Sequence, residues 1–270
     1  INLWGRNVGE NPLSELVGAI LRDEPYKIRR LSSLFSVDVE DIRDMWILQA
    51  ERPDMTDRLF GALSQLLKDE LPRARGGFIY DAFEESAVVM FQGGHERDSL
   101  PEAARALQQS LSERGINALI TACRNLGGLE RIRRAYTLNQ SALRTAKKIF
   151  PLKSLFTLFE LRFADGCVKR IEAGEESVRQ ATEMLEAIRR DGGISYEDML
   201  KTLSAYYLDA DRNAAAAAEL LFVHKNTIQY RIKKFHEQVA VDLGGALEAN
   251  ELLMALAIGR ILESNKKGRS

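Results

Sequence analysis

The sequence is poor in the residues that mark disulfide-stapled, metal-binding or membrane-spanning proteins. It has only two cysteines, Cys123 and Cys167, and three histidines among 270 residues. The cysteines are too few for a disulfide framework and too far apart for a paired metal knuckle, so we expect reduced thiols and a cytoplasmic protein. The histidines have neither HExxH spacing nor a cysteine partner, so no metal site is expected. No apolar run reaches the roughly 18 residues that a membrane span requires, so no membrane association is expected.

Signatures of the commoner catalytic folds are also missing. The chain has no GxxxxGK[ST] phosphate loop, no GxSxG nucleophile elbow and no kinase motif set, which argues against the usual ATPase, hydrolase and kinase classes. Gly127-Gly128 could hold an anion before a helix, but a plain strand-to-helix turn is the simpler interpretation. We therefore expect no enzyme activity and no cofactor.

What the sequence does contain is the composition of a folded globular protein. It is 45% hydrophobic and 29% charged, with a formal net charge of -1, which is too apolar for intrinsic disorder. Because the total charge is close to zero, affinity for nucleic acid has to come from a local cluster of basic side chains.

The N-terminal part of the chain alternates between helical and strand-like patterns. Residues 1–42 are interpreted as a helical lead-in with two short helices between Pro12 and Ser36. Residues 43–165 contain strand-like runs at 45–48, 78–80, 87–91, 118–122 and 155–159. The second and third runs form a predicted hairpin around a polar turn at 81–86, and helical spacing occurs at 59–67, 101–111 and 129–150. This order predicts an α+β domain, with a mainly antiparallel sheet and helices packed on one face.

After Gly166 the strand signal disappears. Residues 166–193 are interpreted as a connecting helix, and residues 194–270 as an all-α helix-turn-helix domain. One helix is predicted from Tyr196 to Leu208, and Asn213 caps a second that ends at Leu221. After a short turn a third helix begins near His224, and three short helices with tight turns form the minimal DNA-reading unit.

The third helix separates into two faces at helical spacing. An apolar stripe is predicted at Ile228, Ile232, Phe235 and Val239. The side chains expected to read base edges are Asn226, Gln229, Tyr230 and Lys233, because amides and cations match the donors and acceptors of the major groove. The side chains expected to contact phosphate are His224, Lys225, Thr227, Arg231 and Lys234. The alternative is an ordinary amphipathic helix whose cations are only solvated.

The string LLFVHKNTIQYRIKKF, preceded by DMLKTLSAYYLDADRNAAAAAEL, resembles the C-terminal helix-turn-helix of the PucR family, which includes CdaR-type sugar diacid regulators. The matching positions are Leu221 to Lys225, Asn226, Thr227, Tyr230, Arg231, Thr202, Leu203 and Asn213. The run Ala214 to Ala218 departs from the family pattern, in which a polar residue or Thr usually precedes the helix-packing Ala. That departure leaves the fold intact but removes one phosphate contact.

The resemblance also implies that residues 43–165 are the degenerate GGDEF-like domain of these regulators, which leaves nucleotide cyclase chemistry to be weighed. The predicted hairpin turn lacks paired glycines, so its backbone cannot approach a phosphate closely, although Asp81, Glu84 and Glu85 could bind a cation weakly. Gly93-Gly94-His95-Glu96 looks like a cyclase signature but follows the second hairpin strand, on the wrong loop. The rival hypothesis is a nucleotide-sensing or cyclase-like signalling protein whose C-terminal helices contact another protein.

The function predicted from the sequence is therefore sequence-specific binding of double-stranded DNA in transcriptional regulation, with the helix at 224–238 in the major groove. A homodimer is expected, because one helix-turn-helix contacts few base pairs. The apolar helix predicted at Leu247 to Leu262 either packs on the core of its own domain or pairs with a second copy, and core packing is favoured. The sequence identifies neither the small-molecule effector nor the operator, and it leaves open activation or repression and a preceding sensor domain.

Overall fold

The structure is a computed structural model that describes residues 12–70, 77–93, 99–186, 188, 194–239 and 245–267. By packing, the chain divides into two compact units. The first comprises the described residues up to 141 together with 154–161, and the second comprises 142–153 and the described residues from 162 onward. Of the sequence features, Gly94-His95-Glu96 and Gly192-Gly193 lie outside the described residues.

The first unit contains a five-stranded sheet. Its strands are β1 (Ile42–Ala50), β2 (Phe78–Phe83), β3 (Ser86–Gln92), β4 (Ala118–Cys123) and β5 (Leu155–Thr157). Its helices are α1 (Pro12–Leu21), α2 (Pro25–Phe35), α3 (Thr56–Glu70), α4 (Ser99–Glu113) and most of α5 (Leu129–Ile149). The predicted order from the first strand to the last is confirmed. The last strand is shorter than predicted, because helix α6 (Leu158–Glu172) already begins at Leu158.

The sheet is mainly antiparallel, as predicted, with the strand order β2-β3-β1-β4-β5. β1 pairs with β3 and β4 in antiparallel fashion, and only β4 and β5 run parallel. The hairpin turn is tighter than expected, since β2 continues to Phe83 and β3 begins at Ser86. Glu84 and Glu85 alone form the turn, and Glu84 adopts a left-handed conformation with φ 55°.

The prediction that helices cover one face of the sheet was wrong, because helices pack on both faces. Along β1, Met45 and Ile47 belong to one apolar cluster while Trp46 and Leu48 belong to the other. Side chains alternate across a strand, so a continuous apolar run such as Met-Trp-Ile-Leu requires cover on both sides. Helices α1, α2 and α5 cover the first face, and α3 and α4 cover the second.

The two N-terminal helices contribute to the core of the sheet unit, although the sequence analysis separated them as a lead-in. Leu16, Val17 and Ile20 of α1 are fully buried in the same cluster as Met45 and Ile47. Their spacing of one, three and four residues places them in one apolar stripe, and this pattern predicted the helix. Residues 12–35 are thus part of the packed α+β unit.

The regular secondary structure of the second unit is all helical within its described residues. It contains the end of α5, most of α6, α7 (Glu175–Glu186), α8 (Tyr196–Ser204), α9 (Ala214–Leu221), α10 (Lys225–Val239) and α11 (Ala246–Lys267). Gly166, proposed as the start of a boundary, lies inside α6. The helix predicted from Tyr196 to Leu208 ends at Ser204 and continues as a π-helical turn over Ala205–Asp209.

The last helix packs on its own unit, as favoured from the sequence. Leu252, Leu256 and Ile261 are buried, with at most 4% of each residue exposed, and α11 lies against α7, α8 and the π-helical turn. In the described part of the chain, none of the helices combines the length and apolar character needed to cross a bilayer.

Candidate nucleic-acid interface

Helices α8 and α9 are both defined by side-chain caps at their N-termini. The Ser195 hydroxyl accepts a hydrogen bond from the Asp198 amide (3.1 Å). The side-chain oxygen of Asn213 accepts from the amides of Ala215 (2.9 Å) and Ala216 (3.3 Å), which confirms the predicted cap. Each cap satisfies amides that have no partner within the helix and so fixes where the helix begins.

A tight turn joins α9 to α10. Phe222 adopts the left-handed conformation, with φ 54°, and 96% of it is exposed. The Val223 amide donates to the Ala218 carbonyl (3.0 Å), which closes the C-terminus of α9. Ala217 and Ala218 are buried, so their small side chains allow α9 to approach α10 closely.

His224 directly precedes α10 and caps its N-terminus. Its Nδ1 accepts a hydrogen bond from the Asn226 amide (3.2 Å). Because Nδ1 faces the helix amide, Nε2 is the ring nitrogen directed away from that bond. The exposed ring can therefore contact an anion through Nε2 while it caps the helix.

The two faces of α10 are arranged as the sequence predicted. Ile228 and Phe235 are fully buried and Ile232 is 9% exposed, which confirms the apolar stripe, while Val239 is half-buried. These residues pack toward α8 and α9. The stripe determines which side of α10 points outward, and therefore which side chains can reach a partner.

The four residues expected to read bases share the outward face of α10. Asn226, Gln229, Tyr230 and Lys233 are all exposed, with Tyr230 at 59%. Their spacing of three, four and seven residues aligns them along about 10 Å of helix. A helix in the major groove can follow base edges over such a length. Lys233 also has a carboxylate neighbour, Glu237, at 3.8 Å.

The residues expected to contact phosphate differ in how far they are exposed to solvent. His224 and Lys225 are exposed, whereas Thr227, Arg231 and Lys234 are half-buried. Arg231 turns toward α8, where its Nη1 donates to Thr202 Oγ1 at 3.0 Å. The outward face of α10 therefore carries His224 and Lys225, and the guanidinium of Arg231 is engaged within the domain.

The structure also brings to this face residues that sequence reasoning missed. An open groove of about 860 Å³ lies between the N-terminus of α9 and the outward side of α10. Its lining includes Arg212, Tyr206 and His236 beside Lys225 and Lys233. A cation directly before the Asn213 cap is the sequence signal that could have identified Arg212.

In the hairpin turn of the sheet unit, Glu84 is hydrogen-bonded to a side chain of the same unit. Tyr136 Oη donates to Glu84 Oε2 (3.1 Å), and burial, followed by the interaction with Glu84, raises the pKa of Tyr136. Burial also raises the pKa of Asp81. Among the described residues, no three His, Cys, Asp or Glu side chains converge as a metal site requires.

A capped helix, a tight turn and a second helix packed by an apolar stripe on the first define the helix-turn-helix class of domain. Comparison with known families agrees with this class. Residues 199–258 match the model of the PucR C-terminal helix-turn-helix domain. The chain therefore carries a PucR-type helix-turn-helix domain, and the family predicted from the sequence is confirmed for this segment.

Two individual proteins are similar to the chain. Over 75 residues it is 39% identical to the proline-responsive transcriptional activator PutR of Bacillus subtilis (strain 168). That match covers 25% of this chain and spans only 18% of the length of PutR. The crystal structure of a regulator of polyketide synthase expression from Bifidobacterium adolescentis is 14% identical with a TM-score of 0.41, over 96% of each chain.

Proposed function

We propose that the protein is a sequence-specific transcriptional regulator of the PucR/CdaR type, and not an enzyme. It binds double-stranded DNA in the cytoplasm and inserts the helix at 224–238 into the major groove. The observation that carries this proposal is the exposed set of Asn226, Gln229, Tyr230 and Lys233 on the outward face of α10. The PucR-type domain at 199–258 and the similarity to a transcriptional activator support it.

The outward face has the chemistry that DNA recognition needs. The amides of Asn226 and Gln229 can each pair with the donor and acceptor of an adenine edge, and Lys233 can reach the acceptors of guanine. His224, Lys225, Thr227 and Lys234 are assigned to phosphate, where cations gain affinity by releasing counterions. The first group then determines sequence preference and the second determines affinity and its dependence on salt.

The sheet unit is assigned to dimerisation or signal coupling, as a degenerate GGDEF-like domain that responds to an unidentified small-molecule effector. One helix-turn-helix contacts too few base pairs for useful specificity, so two copies are expected on half-sites about 34 Å apart or a multiple of that. Sedimentation of the purified chain over a concentration series tests the homodimer. A sedimenting mass of one chain at every concentration, with and without DNA, would contradict it.

Binding to fluorescent duplexes over a salt series tests the proposed function. The duplexes are fragments from upstream of the gene and a scrambled control of the same length. We expect tighter binding to one upstream fragment and a linear fall of log affinity with log salt. A folded chain that binds no duplex at low salt overturns the proposal in favour of nucleotide sensing or protein contacts.

Two substitutions test the base readers directly. Asn226→Ala and Gln229→Ala are each expected to weaken binding to the preferred duplex by about 1 to 3 kcal/mol and to leave the scrambled duplex unaffected. Arg179→Gln is the matched control, because Arg179 lies on α7 and pairs with Glu176 at 2.7 Å. Equal losses on both duplexes contradict the assignment of these two side chains to bases.

A further inference from the structure

The two arginines between the start of α8 and the end of α10, Arg212 and Arg231, differ in what their guanidinium groups contact. Arg231 on α10 donates to Thr202 Oγ1 at 3.0 Å and approaches the Asp198 carbonyl at 3.5 Å, both on α8. Thr202 is fully buried and donates in turn to the Asp198 carbonyl at 2.7 Å. The guanidinium of Arg231 thus completes a short chain of hydrogen bonds that ties α10 to α8.

Arg212 lies in a different environment, in the loop before α9. It is exposed, and within the described part of the chain it makes no ion pair; its contact is with the Tyr207 ring, whose centroid lies 5.6 Å from the guanidinium carbon. Its charge is therefore available to an external anion, whereas the guanidinium of Arg231 is already hydrogen-bonded.

The backbone holds Arg212 in a defined position. Asp211 and Arg212 are consecutive left-handed residues, with φ 46° and 62°, a conformation that residues other than glycine rarely adopt. The Arg212 amide donates to the Tyr206 carbonyl at 2.8 Å, and the Asn213 amide donates to the Ala210 carbonyl at 2.7 Å. Tyr207 also hydrogen-bonds His236 of α10 at 2.9 Å. The loop that carries Arg212 is thereby linked to α10, which is the recognition helix of the proposed function.

The groove between this loop and α10 carries the excess of positive charge that a DNA backbone strand requires. Arg212 and Asn213 line one side, and Lys225, Gln229 and Lys233 line the other. Glu237 is the one acid in the lining of this described groove, and it is 3.8 Å from Lys233. When a helix occupies the major groove, a backbone strand borders it, and cations on two sides of that strand release counterions from its phosphates.

We infer that Arg212 contacts DNA phosphate, and that Arg231 does not contact phosphate but positions the recognition helix against α8. This inference rests on the proposed function. It assigns a binding role to a residue outside the recognition helix and gives each arginine a different, measurable signature. Loss of a phosphate contact changes the salt dependence of binding, whereas loss of a positioning residue changes base discrimination.

The first arm of the test measures the slope of log affinity against log salt on the preferred and scrambled duplexes. Arg212→Gln is expected to reduce the magnitude of the slope by about 0.9 on both duplexes and to weaken both by the same factor. Arg212→Lys keeps the charge and is expected to retain the slope. Circular dichroism checks that the Arg212→Gln variant is folded. If the wild-type chain binds DNA and this folded variant keeps the wild-type slope, the role of Arg212 is overturned.

The second arm concerns Arg231 and its acceptor. Arg231→Gln and Thr202→Val are each expected to leave the salt slope unchanged and to lower the ratio of preferred to scrambled binding. The double variant is expected to lose little more than either single variant, because both remove one interaction. A slope reduced by about 0.9 in Arg231→Gln but not in Thr202→Val makes Arg231 a phosphate contact and overturns this half of the inference.

The outcomes separate this inference from the proposed function. If the wild-type chain binds no duplex, the proposed function fails and the roles of both arginines fail with it. If the wild-type chain binds and discriminates while the arginine variants behave otherwise than stated, only the inference fails. Arg179→Gln, which removes a cation on α7, is expected to change neither slope nor ratio.

Discussion

Breaking the ion pair between Arg260 and Asp209 is expected to destabilise the helical unit strongly. Arg260 of α11 donates hydrogen bonds from Nη1 and Nη2 to the two carboxylate oxygens of Asp209, the last residue of the π-helical turn. The distance from Nη1 to Oδ1 is 2.8 Å. The same Nη1 donates to the Ile149 carbonyl at the end of α5 (2.6 Å). The side chains are only 18% and 9% exposed. One guanidinium therefore joins three elements of one unit.

The magnitude follows from that burial. Removing one partner of a buried pair typically costs about 3 to 5 kcal/mol, because the other charge stays buried without compensation. For Asp209→Asn we expect about 3 kcal/mol, at the lower end, since Arg260 is partly exposed and keeps its bond to Ile149. With a urea dependence of about 2 to 3 kcal/mol per molar, the unfolding midpoint should fall by about 1 M.

The assay is urea unfolding followed by circular dichroism at 222 nm. Glu197→Gln is the matched control, because it breaks the Lys201–Glu197 pair, whose side chains are 58% and 77% exposed, and it should cost no more than about 0.5 kcal/mol. The double variant Asp209→Leu with Arg260→Met should recover much of the loss, since apolar replacements of buried pairs are often tolerated. A loss below about 1 kcal/mol for Asp209→Asn would refute the reasoning.

Three further predictions concern packing, capping and thiol reactivity. Phe235→Ala should cost about 3 to 5 kcal/mol, because Phe235 is fully buried and its removal leaves a cavity; an unchanged melting temperature would mean that the faces of α10 are reversed. Asn213→Ala should cost about 1 kcal/mol in urea unfolding through loss of the α9 cap, while Asn213→Ser should restore most of it, and equal losses would argue against a capping role. Burial raises the pKa of Cys167 to about 12, so at pH 8 about one thiol in ten thousand is ionised, and its reaction with a disulfide reagent should be far slower in native than in unfolded protein; equal rates would contradict its burial.

Local patterns in the sequence were sufficient to predict the order of the helices and strands and the buried and exposed faces of the recognition helix. The apolar residues Ile228, Ile232 and Phe235 recur with the helical period, so their burial could be predicted without knowing what covers them. Asn213 was recognisable as a cap because its side chain satisfies amides only two and three residues away. The cap involves residues within one turn of helix and the stripe repeats over about two turns, so both features depend on residues close together in the sequence.

Features that depend on partners distant in sequence could not be predicted from local sequence patterns. Covering both sheet faces requires α3 and α4 on one side and α1, α2 and α5 on the other, and periodicity does not assign a helix to a face. The helix predicted to Leu208 ends at Ser204, where a π-helical turn brings Asp209 to Arg260. That pairing spans 51 residues of sequence, so no local pattern indicates it.

Three features could be predicted from the sequence: the family of the helix-turn-helix domain, the strand and helix order of the α+β unit and the apolar stripe of α10. Each depends on residues that lie close together along the chain. The availability of polar side chains to a partner, by contrast, depends on how the chain packs. Arg231 and Arg212 are equally charged in sequence, yet Arg231 is hydrogen-bonded to Thr202 and Arg212 lines an open groove. The difference arises because the availability of a charged side chain depends on which distant groups fold against it.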